Sequence, residues 1–485
     1  MMLLLRKPFH VSWMIALSCL GIVIGVIFAP ILHWSWITEL AWLLIGITFV
    51  MMSCAYQRVA WVITALLGGL IIGLWRGTIA ENAYVLYEPL IGNMVTITRI
   101  VSEDSDTDKN GNVVVRLKEV EYNNTKLPGM IWVSLDVKKA DVQRSDKVKV
   151  NSKVNEGFGT FGASMYRAKL MNVQRPVPGD IALYVRNWFA DAIRTAIPEP
   201  ESSLGIGYLV GQRRGLPEEL DAALKTAGLT HIVVASGYNL TILVRFARRY
   251  FAKISKYLAA LVSGGLIASF IAVTGLSPSM SRAGLVTGLS LLAWYYGRKI
   301  HPLVLLALAA AVTILFNPSY GWGDIGWQLS FMAFAGVMLL APLMQRFYFG
   351  EKKPGVFRQI LGETIAATIM TLPIILTSFG VMSNVAVIAN LLILPLVPLA
   401  MLLTFIAGVG AILLPGAALI IGFAGYTILN YMTQVAHFLA GLSWATTEVE
   451  FTLFAAVATY SAIAVWMLYM NWRTRIDLRE VNIVE

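Results

Sequence analysis

The chain has 485 residues, 57% of them hydrophobic and only 14% charged, with a mean hydropathy of +0.68. Soluble globular proteins carry about 25% charged residues, so this composition excludes a water-soluble fold and leaves lipid as the solvent for most of the chain. The net charge of +10 has two readings: cytoplasmic loops rich in Lys and Arg, or a path for a polyanion whose phosphates meet those side chains.

Three apolar stretches open the sequence, Val11–Leu32, Ile37–Tyr56 and Val59–Trp75. Each approaches the ~20 residues that cross a bilayer core. Arg6 and Lys7 precede the first run, as in a signal peptide, but no small-residue cleavage site follows, so it reads as a retained helix. Arg58 separates the second and third runs, whereas the link from His33 to Trp36 has no Lys or Arg. The positive-inside rule then predicts a cytoplasmic N-terminus and an extracytoplasmic chain after Arg76. The two cysteines, Cys19 and Cys54, lie within the apolar runs and offer neither a disulfide framework nor metal-ligand spacing.

From Gly77 to Pro178 the pattern changes to short alternating segments. Met94–Val101, Asn112–Tyr122, Met130–Val137, Asp146–Glu156 and Ala163–Gln174 each predict a strand. In the third, Ile131, Val133, Leu135 and Val137 share one face. Asp108-Lys109-Asn110-Gly111-Asn112 is a hairpin sequence. Five antiparallel strands in so short a stretch predict a small β-barrel of the OB type. OB-folds hold single strands by aromatic stacking and basic grooves. Trp132, Tyr122, Phe158 and Phe161, with Lys147 and Lys149, are the residues for that role, and the alternative is that these rings serve as core or hinge residues. Acids and bases nearly balance here, which argues against strong DNA binding by this segment alone.

Pro176-Val177-Pro178-Gly179 closes the domain. Asp180–Ile197 predicts an amphipathic helix with Ile181, Tyr184, Val185, Trp188, Phe189 and Ile193 on one side, a pattern suited to the membrane interface. A short apolar segment, Ser202–Gly211, leads to a basic turn holding Arg213 and Arg214, and Pro217-Glu218-Glu219 opens another helix. Spanning helices are then predicted at Tyr257–Gly275, Ala283–Tyr296, Leu303–Phe316, Ile325–Leu343, Leu361–Phe379 and Val385–Phe405, and Phe451–Met470 closes the chain. Between Phe405 and Gly441 the loop charges demand an odd number of crossings, and they place the C-terminus inside. Pro395 and Pro398 interrupt an apolar run, which reads either as a broken helix lining a cavity or as a simple kink.

Four polar islands interrupt this apolar half. The first runs from Ala227 to Leu240 and carries His231, Ser236, Gly237 and Asn239. The second, Thr274 to Ala283, places Arg282 at the head of a helix otherwise free of charge. The third holds Asp324, Gln328 and Ser330, and the fourth holds Asn384 and Asn390. Polar groups at membrane depth mark a pathway or a packed network. Singly, a helix-start Arg also snorkels and an intramembrane Gln also serves as interhelical glue.

Taken in order, the islands resemble the ComEC family of competence proteins. The elements that carry the resemblance are Gly228–Gly237 (Gly-Leu-x-His-x-x-x-x-Ser-Gly), Thr274–Ala283 (Thr-Gly followed by Arg-Ala), Gly326–Phe331 (Gly-x-Gln-Leu-Ser-Phe) and the Asn-bearing, Pro-broken Asn384–Pro398. The resemblance implies a polytopic α-helical membrane protein with an inserted small β-barrel, OB-like, outside the cell membrane. Its expected divisions are N-terminal transmembrane helices over 1–76, the OB-like domain over 77–178 and a channel domain over 179–485. It implies transport of single-stranded DNA across the bacterial cytoplasmic membrane during natural transformation, without catalysis, cofactor or metal. The residues expected to line or brace the path are Arg213, Arg214, His231, Ser236, Gly237, Asn239, Arg282, Asp324, Gln328, Ser330 and Asn390. A DNA receptor outside and a cytoplasmic DNA translocase are the implied partners.

Two departures from the family pattern bear on mechanism. Asn239 stands where members often carry a second His, and an amide does not titrate near neutrality. With five histidines and no His-x-His-x-Asp-His cluster, degradation of the other strand is expected of a separate nuclease. Two other functions compete: a transporter or flippase for a lipid or small solute, which polar breaks suit equally, and a serine enzyme using Ser236. The latter lacks the nucleophile-elbow glycines, because Val234 and Tyr238 occupy those positions.

Overall fold

A computed structural model describes residues 10–476, apart from 109, 123–124, 139, 213–214, 234–236, 276–277, 299–300 and 353. Among the described residues, 8 helices are long and apolar enough to cross a membrane. They are Val11–Leu32, Val59–Leu90, Lys256–Thr274, Ile325–Phe349, Val356–Phe379, Ala386–Leu413, Pro415–Ala440 and Leu453–Thr474. The chain divides into two compact units, Met1–Ile181 with Val304–Trp327, and Ala182–Leu303 with Gln328–Glu485.

In the first unit, α1 (Val11–Leu32), α2 (Leu40–Tyr56) and α3 (Val62–Tyr84) follow one another. A Cβ added at Gly69 of α3 would lie 1.9 Å from the Ser18 carbonyl oxygen, and one at Gly73 would lie 2.2 Å from that of Ile22. The two backbones therefore touch, the close approach that small residues permit between membrane helices. The sequence predicts an end to α3 at Trp75, but the helix continues past Arg76 to Tyr84. The reason is a partner for the charge: Arg76 Nε donates to the Leu315 carbonyl at 2.9 Å and Nη2 to that of Phe316 at 3.3 Å. These are C-terminal carbonyls of the helix Pro302–Phe316, where a cation is favoured.

The β region follows a short 3-10 helix, Val85–Leu90. Its strands are β1 (Met94–Val101), β2 (Asp106–Thr107), β3 (Val113–Lys118), β4 (Glu121–Tyr122), β5 (Thr125–Lys126), β6 (Met130–Leu135), β7 (Lys147–Glu156) and β8 (Phe161–Gln174). Six of them form one sheet in the order β1-β7-β8-β6-β3-β2, and β1 also pairs with β3. Going round, β1 meets β7, β8, β6, β3 and then itself, with β6 and β8 parallel and the other pairs antiparallel. Period-two alternation explains the interior: Val148, Val150 and Val154 point in, and Lys147, Lys149 and Lys153 point out. Ile131, Val133 and Leu135 are fully buried, as their shared face predicts, but Val137 lies beyond the strand end and is exposed.

The β2–β3 turn follows the expected hairpin sequence; Lys109 itself lies outside the described residues. Gly111 has φ +79°, which favours glycine. Asp108 Oδ1 accepts from the backbone of Asn110 at 2.8 Å and of Asn112 at 2.9 Å, and Oδ2 accepts from Ser134 Oγ at 2.7 Å. Slight burial pushes the Asp108 carboxyl upward, but the Ser134 hydroxyl, these amides and the Asn112 side chain outweigh it and hold it below the ordinary aspartate range. Tyr87 anchors the sheet to the end of α3 by donating to the Pro128 carbonyl at 2.8 Å.

In the second unit, the helix Glu201–Val210 is buried along its whole length, so this short apolar segment is a core element. Ile181–Ala196 buries Leu183, Arg186, Ala190, Ile193 and Ala196, while Tyr184, Val185 and Trp188 are exposed. The side predicted to be apolar is thus split: Ile193 packs inward and Phe189 meets Phe405 at a ring separation of 5.9 Å. The expected break at Pro395 and Pro398 is a single 3-10 turn, Leu394–Leu396, inside a helix that runs on to Leu413 rather than ending at Phe405. One further span, Pro415–Ala440, follows. A two-stranded sheet that the sequence did not signal joins β9 (Val381–Ser383) to β10 (Thr446–Glu448).

Candidate functional site

The first polar island begins with a turn that only glycine fits. Gly228 has φ +72°, and a Cβ there would stand 2.7 Å from Ala386 Cβ. The short helix Thr230–Val233 then leaves His231 exposed and buries Ile232. Ser236 lies outside the described residues, as do Arg213 and Arg214. Gly237 opens the helix Gly237–Phe251, and its Cβ position lies 3.0 Å from Ala283 Cβ.

Asn239 is fully buried, and its Nδ2 donates to the Tyr208 carbonyl at 3.1 Å. Tyr208 is in the last turn of Glu201–Val210, where helix carbonyls lack partners within the helix. The amide therefore supplies a neutral donor to an otherwise orphaned acceptor. This is how the departure from histidine is accommodated locally.

Arg282 lies within the helix Pro278–Tyr295, which begins earlier than the predicted Ala283 start and so encloses the arginine. It is 3% exposed, and its guanidinium carbon sits 5.7 Å from the centroid of the Phe331 ring. That contact joins the second island to the third, since Phe331 ends the Gln-Leu-Ser-Phe segment. Gln328 and Ser330 are half-buried in the same helix, Ile325–Ala335. Asp324 behaves differently. It lies in the first unit, and its Oδ1 accepts from the Trp327 backbone at 2.8 Å. It is a helix cap, a role that Asp before an apolar run favours.

In the fourth island, Asn384 Nδ2 donates to the Trp444 carbonyl at 2.8 Å and to Thr447 Oγ1 at 2.7 Å. Asn390, in the helix Ala386–Ile393, is 5% exposed. Its Oδ1 is buried and has no hydrogen-bond partner among the described residues. Such an atom in an apolar bundle calls for water or a passing polar group.

Within the second unit the islands interlock. The first rests on the fourth through Gly228 and Ala386, and through Ser383 Oγ donating to the Thr226 carbonyl at 2.6 Å. It rests on the second through Gly237 and Ala283, and the second reaches the third through Arg282 and Phe331. Sequence reasoning missed Gln212, whose Oε1 is also buried without a partner among the described residues. The signal available was its place at the end of a short apolar segment, beside Arg213. Among the described residues no group of three or more His, Cys, Asp or Glu side chains is placed to hold a metal ion.

The family model described as "Competence protein" matches residues 208–474, which includes the four islands. "ComE operon protein 3" of Bacillus subtilis (strain 168) is 27% identical over 214 residues, 43% of this chain and 27% of that protein. The match thus spans about a quarter of the relative's length. No solved structure matches the chain.

Proposed function

The chain belongs to the competence protein family, the ComEC kind, and from that premise we propose that it takes part in DNA uptake during transformation as the conduit for one strand across the bacterial cytoplasmic membrane. The observation that carries this reading is the buried Oδ1 of Asn390, without a hydrogen-bond partner among the described residues, in a bundle where the first island locks the second and fourth together. A conduit needs polar atoms at membrane depth that protein groups do not saturate, because the passing strand and its water must satisfy them in turn. Arg282, His231, Gln328 and Ser330 are the further candidates for lining or bracing it. Asp324, also a candidate, caps its helix through one oxygen.

The β region is read as the OB-like barrel expected from the sequence, because its strand pairings return to β1. It lies outside the cell membrane in this reading, with both chain termini inside. The chain is a conduit and not a catalyst. Movement of the strand belongs to a cytoplasmic DNA translocase, capture to an outer receptor, and removal of the complementary strand to a separate nuclease.

The test is transformation with labelled DNA in a strain lacking the gene, complemented by wild type or by Asn390→Leu. Loss of transformation in the deletion strain, with labelled DNA still held outside the cytoplasmic membrane, is the expected result. Unchanged uptake in the deletion strain would exclude the conduit and turn attention to a lipid or solute as cargo.

A further inference from the structure

Four aromatic rings cluster on the outer surface of the β region. Trp132 stands 5.6 Å from Phe158 and 5.1 Å from Tyr166, and Phe158 stands 5.3 Å from Phe161. Phe158 is 45% exposed and Tyr166 51%. Rings this exposed and this close together are more than scattered surface apolar residues, and such patches mark an interaction surface.

Their level in the molecule is fixed by a backbone contact. Gly159, in the turn between Phe158 and Phe161, lies so close to Gly323 that a Cβ on Gly323 would be 2.1 Å from the Gly159 carbonyl oxygen. Gly323 ends the short turn Ser319–Gly323, which follows the apolar helix Pro302–Phe316 and precedes the span Ile325–Phe349. The aromatic rim is therefore held where membrane helices end. The neck points the same way: Val85 and Leu86, at the end of the span Val59–Leu90, are about half exposed, and Met94 at the base of β1 is 68% exposed. Exposed apolar side chains thus run to the first residue of the sheet, interleaved with exposed Glu88 and Asn93, the mixture that suits an interfacial layer.

Charge separates a lipid surface from a nucleic acid. Lys147 and Lys149 lie at the end of β7 away from the rim, paired with Gln174 and Asn172. At the rim itself the basic residues include Lys153 and Arg167, with Glu156 near them on β7, and Arg116, which pairs across the sheet with Trp132 and is ion-paired to Glu103 and Asp106. That is a mixed, sparse set, too weak for a phosphate backbone, which demands a dense basic track. It suits an interfacial layer, where aromatic rings sit among headgroups and a few Lys and Arg meet lipid phosphates. The chain repeats this chemistry at the end of α1, where Trp34 and Trp36 stack at 5.5 Å with both rings exposed.

We propose that Trp132, Phe158, Phe161 and Tyr166 seat the base of the β region in the headgroup layer of the bilayer, holding it against the membrane on the side where Pro302–Phe316 ends. The rim is thus an anchor for lipid, and the strand-binding surface of this region, if it uses one, lies elsewhere.

The experiment uses the full chain in nanodiscs containing an anionic phospholipid, with Cys19→Ala and Cys54→Ala as background. A single reporter is placed at Phe158→Cys or, as the distal control, at Lys147→Cys, and labelled with a polarity-sensitive fluorophore. Lipids carrying a nitroxide near the headgroup are then introduced. Quenching at position 158 that exceeds position 147 by on the order of twofold or more is expected for a ring at the interface. Equal quenching at the two positions overturns the proposal. A spectral shift at position 158 on adding an oligothymidine strand, without lipid quenching, also overturns it and assigns the rim to nucleic acid. Neither result depends on whether the protein transports DNA.

Discussion

Asn239 and Arg282 are both buried, and each meets a neighbouring helix. Replacing Asn239 by Leu preserves size but leaves the Tyr208 carbonyl without its donor, at a cost of about 1–3 kcal/mol. Thermal unfolding of the purified protein is expected to shift down accordingly. For Arg282 the neighbour is a ring, and Phe331→Leu removes a cation–π contact of about 0.5–2 kcal/mol. Transformation frequency is expected to fall in both Arg282→Ala and Phe331→Leu strains and to persist in Phe331→Tyr. Asp108 carries a pH dependence. Its folded-state carboxyl titrates below the ordinary value, so its stabilisation of the hairpin is complete above the unfolded pKa of about 3.9 and is lost as pH falls through the lower folded value. The acid-unfolding curve of Asp108→Ala is expected to lack that component. At this scale the sequence marked residue types better than roles. Asp324 stood among the polar path candidates, and one of its oxygens also caps a helix, because an Asp just ahead of an apolar helix has its nearest unpaired donors in the backbone beside it.

Helices α1 and α3 show what an element needs beyond hydrophobicity. Their contact runs through Gly69 and Gly73, where an added Cβ would fall inside backbone van der Waals distance. Gly69→Leu or Gly73→Val must separate the helices, and a loss of several kcal/mol of packing is expected. The readout is the yield of monodisperse protein after detergent extraction, expected to fall sharply for either variant and to stay normal for Gly264→Ala, where the added Cβ meets open space. The helices themselves were legible from apolar run length alone: Val11–Leu32 matches to the residue. Strands β1 and β7 were likewise legible from alternation. The end of α3 was not, because the group that neutralises Arg76 lies at Leu315 and Phe316, far away in sequence. The faces of Ile181–Ala196 were hard for a related reason. In a membrane protein both sides of a helix find an apolar partner, protein on one and lipid on the other, and periodicity reports only that apolar residues are present.

At the scale of the whole molecule, charge placement predicts which loops share a side. The pairing of β9 with β10 puts the linkers after Val356–Phe379 and before Leu453–Thr474 at one end of the second unit. Single cysteines at Glu448 and at Lys352 are expected to separate cleanly: an impermeant maleimide applied to intact spheroplasts labels position 448, and position 352 reacts only after permeabilisation. The number of spans between Phe405 and Gly441 was open in the sequence because the loop charges demand only that it be odd. Ile421 packs against Gly410 across Pro415-Gly416, so the two helices fold back on each other.

The same small sheet has a consequence for biogenesis. Val381–Ser383 leaves the ribosome well before Thr446–Glu448, and the two can pair only after the intervening helical hairpin, Ala386–Leu413 and Pro415–Ala440, has been made. The pairing, fastened by Asn384 to Trp444 and Thr447, therefore forms late in synthesis, after both helices of the hairpin are made. Until it forms, both strands present open edges of unpaired backbone. In a pulse-chase experiment, Asn384→Ala is expected to lengthen the interval during which the newly made chain is cut by an external protease, while leaving the final count of spans unchanged.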